Sequence, residues 1–205
     1  MVEDQSRSGL VGIFFGAYSP YIRRIKQLFV FCTLLFFYSL IMGYLIGETI
    51  PGSALDDLLG SFPDVSNMSA LQIFGFIVLN NSSKSLLFML GGILVGLPSL
   101  FFVIFNGFFI GWLSSVLTLN SGVGFVLAAL MPHGIVEIPT IILSMAMGVS
   151  IGYELLNRIR GGGNLRREIS LAIGLFINRI IPLIILAAVI EVTVTPLVLR
   201  ILGFI

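Results

Sequence analysis

His133, Glu137 and Glu191 stand inside long apolar runs, and with Lys84 they are the residues whose types could do chemistry. His133 and Glu137 are four apart, which puts both side chains on one face of a helix. Glu191 lies near the middle of the last apolar run, Asn106 in the third, and Asn80, Asn81 and Lys84 in the second. An imidazole and two carboxylates can carry protons, hydrogen-bond a polar ligand or hold a cation. A charge at the centre of a bilayer costs about 2.5–3.5 kcal/mol on insertion scales, so such groups are expected to face one another or a water-filled cavity. Lys84 is therefore expected to pair with Glu137 or Glu191, and His133 to hydrogen-bond within the same cluster. Zinc takes three or four N, O or S ligands. With one histidine in the chain, His133, Glu137 and Glu191 are the best set available for a metal. That reading ranks behind a structural polar network and behind a proton or substrate pathway. No residue is assigned a catalytic role: there is no serine-nucleophile motif and no glycine-rich phosphate loop on a strand–helix unit. No cofactor is implied.

These side chains need apolar elements to hold them. Hydrophobic residues make up 57% of the 205, and charged residues 10%. Soluble domains carry about 25% charged residues, and the mean hydropathy here is +1.09. The net charge of +1 offers no basic field for nucleic acid. Cys32 stands alone in an apolar run and reads as a core residue. The expected fold is all-α, a transmembrane bundle of about five spans near 28–46, 71–96, 100–119, 135–152 and 180–199. Each is long enough to cross roughly 30 Å of hydrocarbon. Residues 1–27 read as a cytoplasmic, interfacial segment anchored by Arg23, Arg24 and Lys26, and 28–205 as one transmembrane domain.

Three interruptions mark this pattern. Asn80–Ser85 breaks the apolar run of the second span, and a rival parse would start the membrane at Leu86. Asn120-Ser121-Gly122 separates the third span from some thirty apolar residues, too long for one straight crossing. Pro132-His133-Gly134 within that stretch predicts a half-helix or a strong kink over 123–134. The acidic stretch Glu48–Asp64 has no Lys or Arg, whereas Arg158, Arg160, Arg166 and Arg167 surround Gly161-Gly162-Gly163, read as a hinge. By the positive-inside rule the N-terminus is cytoplasmic and the C-terminus outside, in the plasma membrane. Glycines recur four apart at Gly12/Gly16, Gly43/Gly47, Gly92/Gly96, Gly107/Gly111 and Gly148/Gly152. They predict close helix packing inside the bundle, with a homo-oligomer through one such face as the alternative.

The order Asn80-Asn81-Ser82, Gly91–Ser99, Asn106–Gly111, Pro132-His133-Gly134-Ile135-Val136-Glu137-Ile138-Pro139 and then Glu191 with Pro196 resembles the SpoIIM family (stage II sporulation protein M) over roughly residues 25–200. The resemblance implies about five transmembrane helices and, in spore formers, a membrane partner of peptidoglycan-degrading enzymes. Its expected role is thus a non-enzymatic scaffold or recruiting component in cell-envelope remodelling, with the bilayer and other membrane or envelope proteins as partners. A transporter of small molecules, lipids or ions with a mid-membrane site at Lys84, Asn106, His133, Glu137 and Glu191 is the second expectation. An intramembrane metallohydrolase is the third.

Overall fold

The computed structural model describes residues 19–50, 60 and 67–205. Most of the expected interfacial segment and of the acidic loop, with Gly12 and Gly16, lies outside them. The first helix, α1 (Ser19–Ile46), begins nine residues before the predicted span and ends in a short 3-10 turn, Gly47–Thr49. At 1.5 Å per residue it is about 42 Å long, more than the hydrocarbon needs. Helix α2 (Ala70–Leu90) opens on a capping box, in which Ser69 Oγ accepts from the Gln72 amide and the Gln72 side chain accepts from the Ser69 amide. It runs unbroken through Asn80–Ser85. Asparagine and serine cost a helix only a few tenths of a kcal/mol each, which does not outweigh the loss of internal hydrogen bonds in an apolar medium.

The chain then tightens into a 3-10 turn, Gly91–Leu94, and reverses through left-handed Val95 (φ 62) and Gly96 (φ 77). Two helices follow directly on one another over Leu97–Ile159, divided at Gly122 (φ 83, ψ 159) into α3 (97–121) and α4 (123–159). The expected half-helix over 123–134 is absent. Helix α4 passes through Pro132 and Pro139, although neither proline has an N–H to give the carbonyl four residues back. After a turn with Gly161 and Gly163 at positive φ, α5 (Leu165–Leu175) leads through a π-helical turn, Phe176–Ile180, into α6 (Ile181–Ile201).

The glycines fix the directions of the helices. A Cβ on Gly43 would meet the backbone of Phe108, one on Gly107 that of Phe36, and one on Gly111 that of Leu40 and Tyr44. Numbers rise together, so α1 and α3 run parallel. A Cβ on Gly148 would meet Ser99, and one on Gly152 would meet Gly96. Here one number rises as the other falls, so α3 and α4 form an antiparallel hairpin about Gly122. Gly92 abuts Gly148 while Asn81 reaches Glu137, so α2 runs parallel to α4. Met147 and Ile151 share a core with Ile180 and Ile184, whereas Glu191 sits beside Glu137, so α6 runs antiparallel to α4. The five long runs thus alternate in direction. Four glycine pairs are used inside one chain, where missing side chains let backbones touch.

Two cores hold the bundle. Cys32, Phe36, Phe88, Val103, Ile142 and Met145 fill one; Tyr21, Ile25, Met89, Ile151, Leu175 and Ile180 belong to the other. The second core brings the start of α1 to the same end as the α4–α5 turn, and so gathers the two basic segments of the sequence. The outer faces carry apolar side chains such as Leu34 (67% exposed), Leu79 (70%) and Ile135 (65%). Among the described residues, four helical stretches, counting the α3–α4 hairpin as one, are long and apolar enough to cross a membrane. This is a membrane protein.

Candidate functional site

Two i, i+4 pairs meet across the antiparallel contact of α4 and α6. His133 and Glu137 come from α4, and Glu191 and Thr195 from α6, all four turned toward each other. One ligand atom from each of His133, Glu137 and Glu191 lies within 4.8 Å of the others, and all three residues are half-buried. His133 Nδ1 lies 3.5 Å from Thr195 Oγ1, a long contact whose donor depends on the ring tautomer. The third wall is α2. There Asn81 Nδ2 donates to Glu137 Oε1 at 3.0 Å, and the charges of Lys84 and Glu191 both act on Glu137. Lys84 itself is largely exposed. Asn80 Nδ2 lies 3.4 Å from Asn81 Oδ1, so it supports the residue that holds Glu137.

The helix through Pro132-His133-Gly134 explains the placement. A true break would have uncoupled His133 from Glu137. Continuity keeps them one turn apart on one face. Asn106 is placed differently, since its Nδ2 donates to the Phe102 carbonyl of its own helix at 2.8 Å. It contributes no contact to the cluster among the described residues.

His133 and Glu137 also form the polar wall of a cavity of about 580 Å³ enclosed by α1, α3 and α4. That volume lies inside the range of small-molecule pockets, about 300–1,000 Å³. Its remaining lining is mostly apolar, including Phe29, Leu40, Ile110, Leu130 and Ile142, with a few hydroxyls at Thr33, Ser114 and Thr118. On one side it is bordered by outward-facing residues: Phe37 (47% exposed) on α1, and Leu127 (53%) and Met131 (50%) on α4. On this side the cavity opens to the outer surface of the bundle.

Two polar sites escaped the sequence reading. Thr195 is buried beside His133, but an isolated threonine in an apolar helix carries no signal, because its hydroxyl can bond its own backbone. Glu168 follows Arg166 and Arg167 in the basic segment of the sequence. It is 1% exposed, and Ser150 Oγ on α4 donates to its Oε1. The amphipathic α5 turns that face into the bundle.

The profile of the family described as stage II sporulation protein M, SpoIIM, matches residues 32–196. The chain belongs to the SpoIIM family. The matched span holds every residue of the cluster and nearly all of the cavity lining. The chain is also similar to the uncharacterised protein MJ0793 of Methanocaldococcus jannaschii, with 34% identity over 140 residues, covering 65% of this chain and 78% of that protein. No solved structure matches the chain.

Proposed function

We propose that this SpoIIM-family protein takes a small amphiphile, one apolar chain with a polar head, from the bilayer and binds it with its head at His133 and Glu137. The observation that carries this reading is that His133 and Glu137, which lie against Glu191, also border a cavity between α1, α3 and α4. A purely structural network has no need of an adjoining space of about 580 Å³, and ionisable groups at such depth are costly unless they meet a partner or a ligand. Binding at a polar centre between helices is the arrangement from which transporters work. In this reading Lys84 and Asn81 hold the cluster, Thr195 orients His133, and Asn106 stiffens α3. In this reading the N-terminus is cytoplasmic and the C-terminus outside, which the gathering of both basic segments at one end of the bundle supports through the positive-inside rule.

Binding of a fluorescent, nitrobenzoxadiazole-labelled monoacylglycerol to the purified chain tests this. Saturable binding is expected, weakened by about tenfold or more in Leu130→Trp, which fills the cavity at a cost of about 1–3 kcal/mol. Absence of saturable binding, or binding indifferent to Leu130→Trp in a folded variant, would overturn it. The second reading, a non-enzymatic scaffold or recruiting component in plasma-membrane and cell-envelope remodelling, is the role expected from membership of the SpoIIM family. It predicts partner proteins that co-purify with the chain and with Leu130→Trp alike.

A further inference from the structure

We propose that His133, Glu137 and Glu191 bind one divalent transition-metal ion, zinc being the best fit, with an open coordination position toward the cavity. This deepens the ligand-binding reading and rests on the same site. The donor set is mixed, an imidazole and two carboxylates, and comes from two helices rather than from a run of acidic residues. Ligand atoms around tetrahedral zinc at bonds of about 2.0–2.2 Å lie roughly 3.3 Å apart. The present spacing, within 4.8 Å, closes by small side-chain rotations without moving either helix.

Second, the outer contacts are those a metal site needs. Metal-binding histidines are held through their other ring nitrogen, and ligating carboxylates are themselves hydrogen-bonded. Thr195 Oγ1 stands at His133 Nδ1, which leaves Nε2 for the ion, and Asn81 Nδ2 holds one oxygen of Glu137. Third, two carboxyl groups and an imidazole converge where screening by water is weak, and a divalent ion bound between them offsets the repulsion that two carboxylates would otherwise feel. His133 and Glu137 border the cavity. Three protein ligands leave the fourth zinc position open, as in sites that bind or activate an exchangeable ligand.

The test is equilibrium dialysis of the full chain in detergent against Zn²⁺ after chelation, read by elemental analysis, with isothermal titration alongside. One zinc per chain is expected, with X-ray absorption showing only nitrogen and oxygen neighbours. Glu191→Gln, nearly isosteric, is expected to raise the dissociation constant by about 100-fold or more, and Asn81→Leu by about 10–100-fold. Circular dichroism separates these effects from unfolding. Sub-stoichiometric zinc in the parent chain, or equal affinity in a folded Glu191→Gln, would overturn the proposal. Monoacylglycerol binding in the chelated protein is scored separately, so loss of the metal reading and loss of the cavity reading give different results.

Discussion

Substituting Gly111 by alanine probes the contact that builds one wall of the cavity. A Cβ there would lie 2.8 Å from the Leu40 carbonyl carbon and from the Tyr44 amide nitrogen, and closer still to the Leu40 carbonyl oxygen. These are backbone atoms of α1, so no side chain can swing aside. Relief requires α1 and α3 to separate by about 1 Å, and overpacking of this kind costs about 1–3 kcal/mol. Gly75 provides the control. It sits inside α2 with nothing within 4 Å of a built Cβ, so alanine there gains helix propensity, up to about 0.8–1 kcal/mol. The two substitutions are chemically identical and are expected to shift stability in opposite directions. Reversible unfolding in mixed micelles, followed by circular dichroism, measures both. Gly111→Ala should lower stability by about 1–3 kcal/mol and weaken amphiphile binding, because Leu40 and Tyr44 line the cavity from α1. If Gly111→Ala is as stable as Gly75→Ala, the parallel close approach of α1 and α3 is wrong, and the cavity wall with it.

Asn81→Leu should destabilise the fold by about 1–2 kcal/mol by removing a hydrogen bond to a carboxylate, and a double-mutant cycle with Glu137→Gln should show coupling rather than additivity. Lys84→Met should lower the melting temperature in detergent, with partial recovery in Lys84→Met/Glu137→Gln; unchanged melting of the single variant would break the pairing. Ser150→Ala should cost about 1.5–3 kcal/mol, since it leaves the buried Glu168 without its hydroxyl donor, and urea or heat unfolding reads it directly. Ser69→Ala should cost only about 1 kcal/mol through loss of the capping box, an amount that sets the scale of a surface effect in the same assay.

Much of the fold was legible in the residues because lipid imposes strict rules. Apolar length and the punctuation at Asn120-Ser121-Gly122 pointed to five long runs, and Gly43, Gly92, Gly107 and Gly148 marked where backbones touch. What the glycines could not name was their partners, since a Gly-x-x-x-Gly face is identical whether it meets its own chain or another. The span expected through Asn80–Ser85 is a continuous helix, and of the two expectations over 123–134 the half-helix is not formed, because in an apolar medium a helix survives such residues where exposed backbone has no alternative partner. The convergence of His133, Glu137 and Glu191 was legible from the cost of burying charge. The cavity beside them was not, because a void is a property of packing between α1, α3 and α4. Glu168 was missed because its neighbours Arg166 and Arg167 made the segment look solvated, while its own face of α5 points inward.

Photocrosslinking from inside the cavity tests the central claim most directly. Benzoylphenylalanine placed at Leu130, which lines the cavity, and at Leu34 on the outer face of α1 (67% exposed), would be activated in native membranes and the adducts weighed by mass spectrometry. An occupied cavity predicts a narrow set of single-chain amphiphile adducts at Leu130 and the bulk phospholipid profile at Leu34. The same bulk profile at both positions, or no lipid adduct at Leu130, would contradict a binding site at His133, Glu137 and Glu191.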